Sequence, residues 1–244
     1  MPLATRIIPV VLVNGRQAVK GKQFEWQRPI GQLAMTVRVY SRRMVDELAL
    51  LSVSGSVPDV DVVRDFADAC FSPLLVGGGI SDVEEIRVLL ANGADKVAVN
   101  TAAVRVPSLI EHASRKIGRQ SLVVSIDVKG DTVHVDGGRT CTGLSPVEWA
   151  SDVERLGAGE ILLNRVERDG TMTGYDVDLV RDVSRAVSIP VIACGGAGTY
   201  TDMSHAIEAG AHAVAAGAMW SFTDATPREA ARRLAVLGVN TRIM

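Results

Sequence analysis

The chain has 244 residues, 47% hydrophobic and 22% charged, with a formal net charge of −2 at pH 7. That balance supplies no basic field for nucleic acid, and no apolar run reaches the roughly 18 residues that span a bilayer, so no membrane association is expected. Three cysteines (Cys70, Cys141, Cys194) form no CxxC pair, and their odd number speaks against a disulfide framework. A reducing, cytoplasmic setting is the expectation. His112, His134, His205 and His212 show no ligand spacing, so no metal and no other cofactor is expected.

Short β-branched apolar runs alternate with amphipathic stretches along the whole chain. The opening MPLATRIIPVVLV has one Arg before a short apolar run and no small-residue cleavage site. It reads as a first strand over 6–13 rather than a leader. A long connection follows from Gly21 to Met44, and its Phe24 and Trp26 either cover a ligand or pack on the rim. Further strands are predicted over 47–53, 73–79, 96–101, 122–128, 160–166, 190–196 and 213–218. Each is almost continuously apolar, as parallel strands covered on both faces are. Between them lie helices such as SDVEEIRVLLANGAD, with Ser81 as the expected N-cap, acidic residues in the first turn and Gly93 as the stop. Eight β–α pairs in about 250 residues fit a (β/α)8 TIM barrel, with an open doubly wound sheet as the alternative. A repeat favours the barrel. Residues 73–97 align without gaps on 190–214, pairing Pro73 with Pro190, Gly78-Gly79 with Gly195-Gly196, and Gly93-Ala94 with Gly210-Ala211. One α/β domain over 1–244, made of two half-barrels, is the expected organisation.

The glycine turns VGGGIS (76–81) and CGGAGT (194–199) each leave a strand and open a helix. Such turns bring backbone N–H groups close to a phosphate. Two of them, half a barrel apart, suit a substrate phosphorylated at both ends; tight turns without a ligand are the plainer reading. Asp127 ends the fifth strand, at the catalytic face of barrels, as a candidate general acid or base. In RDGTMTGYD (168–176), Asp169 and Thr171 offer substrate contacts or a self-bonded turn. Asn100 and Thr101 end the fourth strand and either hydrogen-bond a ligand or cap a helix. Lys20 either reaches an anion or is a solvated surface lysine. At the opposite end, Arg6, Glu47, Lys96 and Glu160 stand at strand starts. They form either a charged ring across the floor or an ordinary hydrated surface.

These motifs together (RIIP, VKG, VDEL, VGGGI, GADKVAVNTAA, SIDVK, GAGEILL, RDGTMTGYD, ACGGAG and AGAHAVAAG) make the chain resemble the HisF family, the cyclase subunits of imidazole glycerol phosphate synthase. The resemblance runs end to end. It implies a partner, a HisH-like glutaminase docked on the barrel floor, whose ammonia crosses the barrel to a phosphorylated ribulosyl substrate of histidine biosynthesis. Arg6, Glu47, Lys96 and Glu160 match the family's ammonia gate. Gly78-Gly79 and Gly195-Gly196, with Ala216-Gly217, match its phosphate sites. Lys20, Asn100, Thr101 and Asp169 match polar residues of its active face, and Asp127 matches a catalytic aspartate.

There are departures. Where the family typically reads RIIPCLDV, this chain reads RIIPVVLV, so Leu12 replaces a second catalytic aspartate. Ser52 stands where the family commonly has aspartate, and Asn164 near a frequent threonine. Leu12 and Ile30-Gly31 resemble a HisF-like branch tied to surface-sugar amidotransferases. The expectation that follows is a HisF-like subunit that uses or relays ammonia for a phosphorylated or sugar-nucleotide substrate, with a third, ammonia-accepting enzyme as a further partner. An authentic histidine-pathway cyclase and a non-catalytic scaffold that activates a glutaminase are the alternatives.

Overall fold

The structure, a computed structural model, describes residues 4–25, 27–43 and 45–242, so Trp26 lies outside the described residues. The strands are β1 (Arg6–Asn14), β2 (Gln17–Gly21), β3 (Gln27–Gln32), β4 (Leu48–Ser52), β5 (Leu74–Gly77), β6 (Lys96–Val99), β7 (Leu122–Lys129), β8 (Thr132–Val135), β9 (Thr140–Cys141), β10 (Glu160–Arg165), β11 (Val191–Cys194) and β12 (Ala213–Ala216). The helices are α1 (Leu33–Arg42), α2 (Val60–Ala69), α3 (Val83–Ala91), α4 (Thr101–Arg105), α5 (Ser108–Ile117), α6 (Pro146–Arg155), α7 (Val177–Ala186), α8 (Tyr200–Glu208), α9 (Ala218–Phe222) and α10 (Pro227–Val236).

Eight of the strands run parallel in the order β1, β4, β5, β6, β7, β10, β11, β12. The sheet closes where β12 pairs with β1, Arg6 opposite Ala213. This is the (β/α)8 barrel that the alternating pattern predicts, and all eight predicted runs are its staves. Closure leaves no open sheet edge among these eight.

Alternation along each strand divides the core in two. Ile7, Leu48, Leu74, Val97, Val124, Ile161, Val191 and Val214 face outward and pack beneath the helices. Ile8, Ala49, Leu75, Ala98, Val123, Leu162, Ile192 and Ala213 face inward and form a separate apolar bore. Burying each large aliphatic side chain contributes about 1.5–3 kcal/mol. Three of the eight inward residues of this layer are alanines, so the bore is narrow-walled by small side chains on the β4, β6 and β12 sides.

Two features depart from the sequence reading. The cap of α3 is Asp82, not Ser81: its carboxylate accepts from the N–H groups of Glu84 and Glu85. Ser81 instead gives its N–H and hydroxyl to Glu85 Oε2, at 2.7 and 2.9 Å. The connection after β1 is also more ordered than a loop: β2 and β3 form an antiparallel hairpin that pairs with β1 through Leu12 and Val19. A second hairpin element, β8 with β9, extends β7. Neither announces itself in the sequence, because QAVKG and QRPIGQ carry little apolar alternation and every residue of β3 is exposed.

Candidate active face and floor gate

The floor is a closed ring of alternating charge. Arg6 is hydrogen-bonded to both Glu47 and Glu160. Lys96 Nζ lies 2.9 Å from Glu47 and 2.8 Å from Glu160. The two glutamates are almost fully buried, the cations about four-fifths buried. Burial acts to lower the Arg6 pKa, but Glu160 and Glu47 outweigh it and hold it above its ordinary value. A paired charge this deep is costly to break on one side, by about 3–5 kcal/mol. The hydrated-surface alternative does not describe these four residues.

At the other end of the bore the strands turn polar. Ser125 sits on the inward face of β7 two residues before Asp127, and its hydroxyl donates to Asp127 Oδ1 at 3.1 Å. Asn100 Nδ2 donates to Asp127 Oδ2 at 3.2 Å and to the Ser125 carbonyl at 3.1 Å. Burial pushes the Asp127 carboxyl up to about 7, with Ser125 drawing it down and Asp169 adding to the rise. A carboxyl poised near neutrality can both take and give a proton at physiological pH.

Lys20 extends from β2 into the interior. Its Nζ donates to the Val10 carbonyl at 2.8 Å, and it is 5% exposed. Burial lowers its pKa to about 8, against the pull of Asp169. The surface-lysine alternative therefore fails. Asp169 follows a short 3-10 turn after β10. Its carboxyl is raised to about 6 by burial and pulled back by Lys20. Leu12, Lys20, Asp169, Cys194, Gly195, Gly196 and Gly217 line one pocket.

The glycine turns are required by packing as well as suited to an anion. A Cβ on Gly78 would stand 2.2 Å from the Ser52 carbonyl oxygen, and one on Gly196 2.2 Å from that of Gly174. The half-barrel repeat extends to hydrogen bonding: Glu85 holds the Ser81 N–H, and Asp202, its repeat counterpart, holds those of Gly198 and Thr199. The amides of Ser81, Gly198 and Thr199, where the turns enter α3 and α8, are thus already satisfied.

Three predicted residues take positions worth separating. Thr171 bonds within its own loop, to the Arg168 carbonyl at 2.7 Å and to Thr173 at 2.8 Å. That is the self-bonded turn, made compact by Met172 at φ +57°. Thr101 accepts from the Asp136 N–H at 2.9 Å and donates to Asn100, so it orients Asn100. Asn100 occupies the cap position of α4 without capping it. Phe24 lies against Gly138, packed on the rim. Ala216 lines the same pocket as Gly217.

Sequence reasoning passed over Ser125 and Cys194, and noted Asn164 only as a departure. All three follow from period-two counting, because they share a strand face with Asp127, Ile192 and Leu162 respectively. Asn164 is buried, and its Oδ1 has no hydrogen-bond partner among the described residues. Among the described residues there is also no His/Cys/Asp/Glu group able to hold a metal ion, and no helix long and apolar enough to cross a membrane.

The buried titratable groups thus gather at the C-terminal ends of the staves, above a bore closed by a charged floor; this defines a (β/α)8 barrel whose candidate site lies on the face that barrels use for catalysis. The chain belongs to the histidine biosynthesis protein family, whose model matches residues 6–225. It is 44% identical to the imidazole glycerol phosphate synthase subunit HisF of Pyrobaculum aerophilum, over all of both chains. It is 41% identical to that of Thermobifida fusca, over 99% of this chain and all of the other, and 43% identical to that of Hyphomonas neptunium, over 98% and 99%.

Proposed function

We propose that the chain is the cyclase subunit of an imidazole glycerol phosphate synthase. It takes ammonia from a glutaminase subunit seated on the floor and uses it on a substrate held by phosphate groups at the two glycine turns. The observation that carries this reading is Asp127. It is a buried carboxyl near neutrality, held by Ser125 and Asn100 at the top of an apolar bore whose other end is the four-residue charged ring. An apolar bore passes neutral ammonia and opposes ammonium, since burying an unpaired charge is expensive. The relatives named HisF support histidine biosynthesis over a sugar-nucleotide reaction.

One observation favours the second reading, in which the barrel relays ammonia to another acceptor: Leu12 lines the pocket beside Lys20 and cannot carry a proton. The deciding experiment bypasses the glutaminase. The purified chain is incubated with the ribulosyl intermediate of histidine biosynthesis and excess ammonium at alkaline pH, and loss of the intermediate is followed. Turnover is expected. Binding without turnover would favour the relay, and absence of both would remove the substrate assignment.

A further inference from the structure

The proposed chemistry needs two proton carriers. Ammonia adds to a carbonyl carbon, the C–N bond forms, and the oxygen leaves as water; the nitrogen must lose two protons in all and the departing oxygen must gain two. Asp127 is one carrier. On the β1 side the pocket offers only Val10 and Leu12. We infer that Asp169 is the second proton-transfer residue, set in place by the connection between β2 and β3. This rests on the synthase reading above and goes beyond it.

The geometry of Asp169 differs from that of the chain's structural aspartates. Asp59, Asp82 and Asp176 each accept backbone N–H groups at a helix start, and Asp202 completes a capping box. No hydrogen bond ties the Asp169 carboxylate to any described residue. Its backbone is fixed instead, with its N–H donating to the Arg165 and Val166 carbonyls and its own carbonyl accepting from the Gln23 N–H at 2.9 Å. A rigid main chain under a free carboxylate suits a group that acts on a ligand rather than one that holds a loop. Charged and titratable neighbours also converge on it: Lys20 across the pocket, then Asp127 and Cys194, each coupled to it electrostatically. The Gln23 contact couples the hairpin to the chemistry. Gln23 and Phe24 are held at φ +56° and +62°, and the Gln23 side chain also donates to the Glu167 carbonyl at 2.7 Å.

The test uses the full chain with the ribulosyl intermediate and ammonium chloride. Asp169→Asn is expected to lower kcat at least 100-fold with KM within threefold, and to erase one limb of the kcat/KM pH profile. The double variant Asp169→Asn/Leu12→Asp, which returns a carboxyl to the same pocket, is expected to recover at least tenfold over the single one. A structural role for Asp169 predicts no such recovery. A single variant within tenfold of the unaltered chain, both limbs kept, or a double variant no better than the single one overturns the inference alone. An unaltered chain that fails to turn over removes the synthase reading, and this inference with it.

Discussion

The Lys20 ammonium stands 2.5 Å from where a Cβ on Gly217 would be. The two residues come from opposite ends of the chain, and Lys20 fits there only because residue 217 has no side chain. Both line the pocket that also holds Gly195 and Gly196. A positive charge is therefore placed beside the amides of the second glycine turn, where an anion gains both.

The first prediction follows directly. Gly217 has φ −123°, outside the left-handed region, so Gly217→Ala acts chiefly through Lys20, with the Val10 carbonyl oxygen a lesser contact at 3.3 Å from the new Cβ. The amine must leave its bond to the Val10 carbonyl and shift away from the turn. Affinity for inorganic phosphate, read by calorimetric titration, should fall about tenfold, or about 1.4 kcal/mol. An unchanged affinity would place the anion away from Lys20.

The floor supplies the second. Lys96→Met leaves Glu47 and Glu160 facing one cation, Arg6. Removing one partner of a buried network costs about 3 kcal/mol, so the urea midpoint at pH 7 should fall clearly. A midpoint that does not move would mean that the ring contributes nothing to stability.

The barrel was legible in the sequence because its staves are apolar on both faces and its turns carry glycine, so periodicity and repeat agree. The floor ring was legible only as one of two readings of four strand-start charges, and the sequence did not choose between them. Nothing local tells that Glu47 and Glu160, 113 positions apart, share Arg6 and Lys96. The burial of Lys20 was hidden for the same reason: a lysine between QAV and GKQ reads as solvated until β2 folds back on β1. Thr171 had two readings, a substrate contact or a self-bonded turn. The structure shows its hydroxyl bonded within the turn, to the Arg168 carbonyl and Thr173, which no local motif distinguishes from the other reading.

The third prediction concerns pH. Asp127 keeps its proton up to about pH 7 in the fold, while an unfolded aspartate loses it near 4. Between those values the folded chain binds more protons than the unfolded one, so this group makes stability fall as pH rises through the window. Asp127→Asn removes that dependence. It should be more stable than the parent by at least about 1 kcal/mol at pH 8, with no gain at pH 4. Urea unfolding across the pH range reads this, and parallel curves for the two proteins would sink it. Lys20 acts with the opposite sign at higher pH. Its folded pKa of about 8 lies below the unfolded value of about 10.5, so stability rises between them as the buried charge is discharged.

The last prediction addresses the hairpin. Gly170 has φ +70°, and a Cβ there would stand 2.4 Å from the Gly21 carbonyl oxygen. Gly170→Ala is strained twice, by its backbone and by the collision, and the collision can be relieved only by lifting Gly21 off the site. That movement would take Gln23 from the Asp169 carbonyl and Phe24 from the rim beside Gly138. The barrel staves are untouched, so the melting temperature should drop by only a few degrees, as about 1 kcal/mol of local strain implies. Residues 21–25 should become at least tenfold more susceptible to limited proteolysis, and kcat with ammonium should fall with them. Proteolysis that accelerates while kcat holds would show that the hairpin packs on the site without contributing to its chemistry.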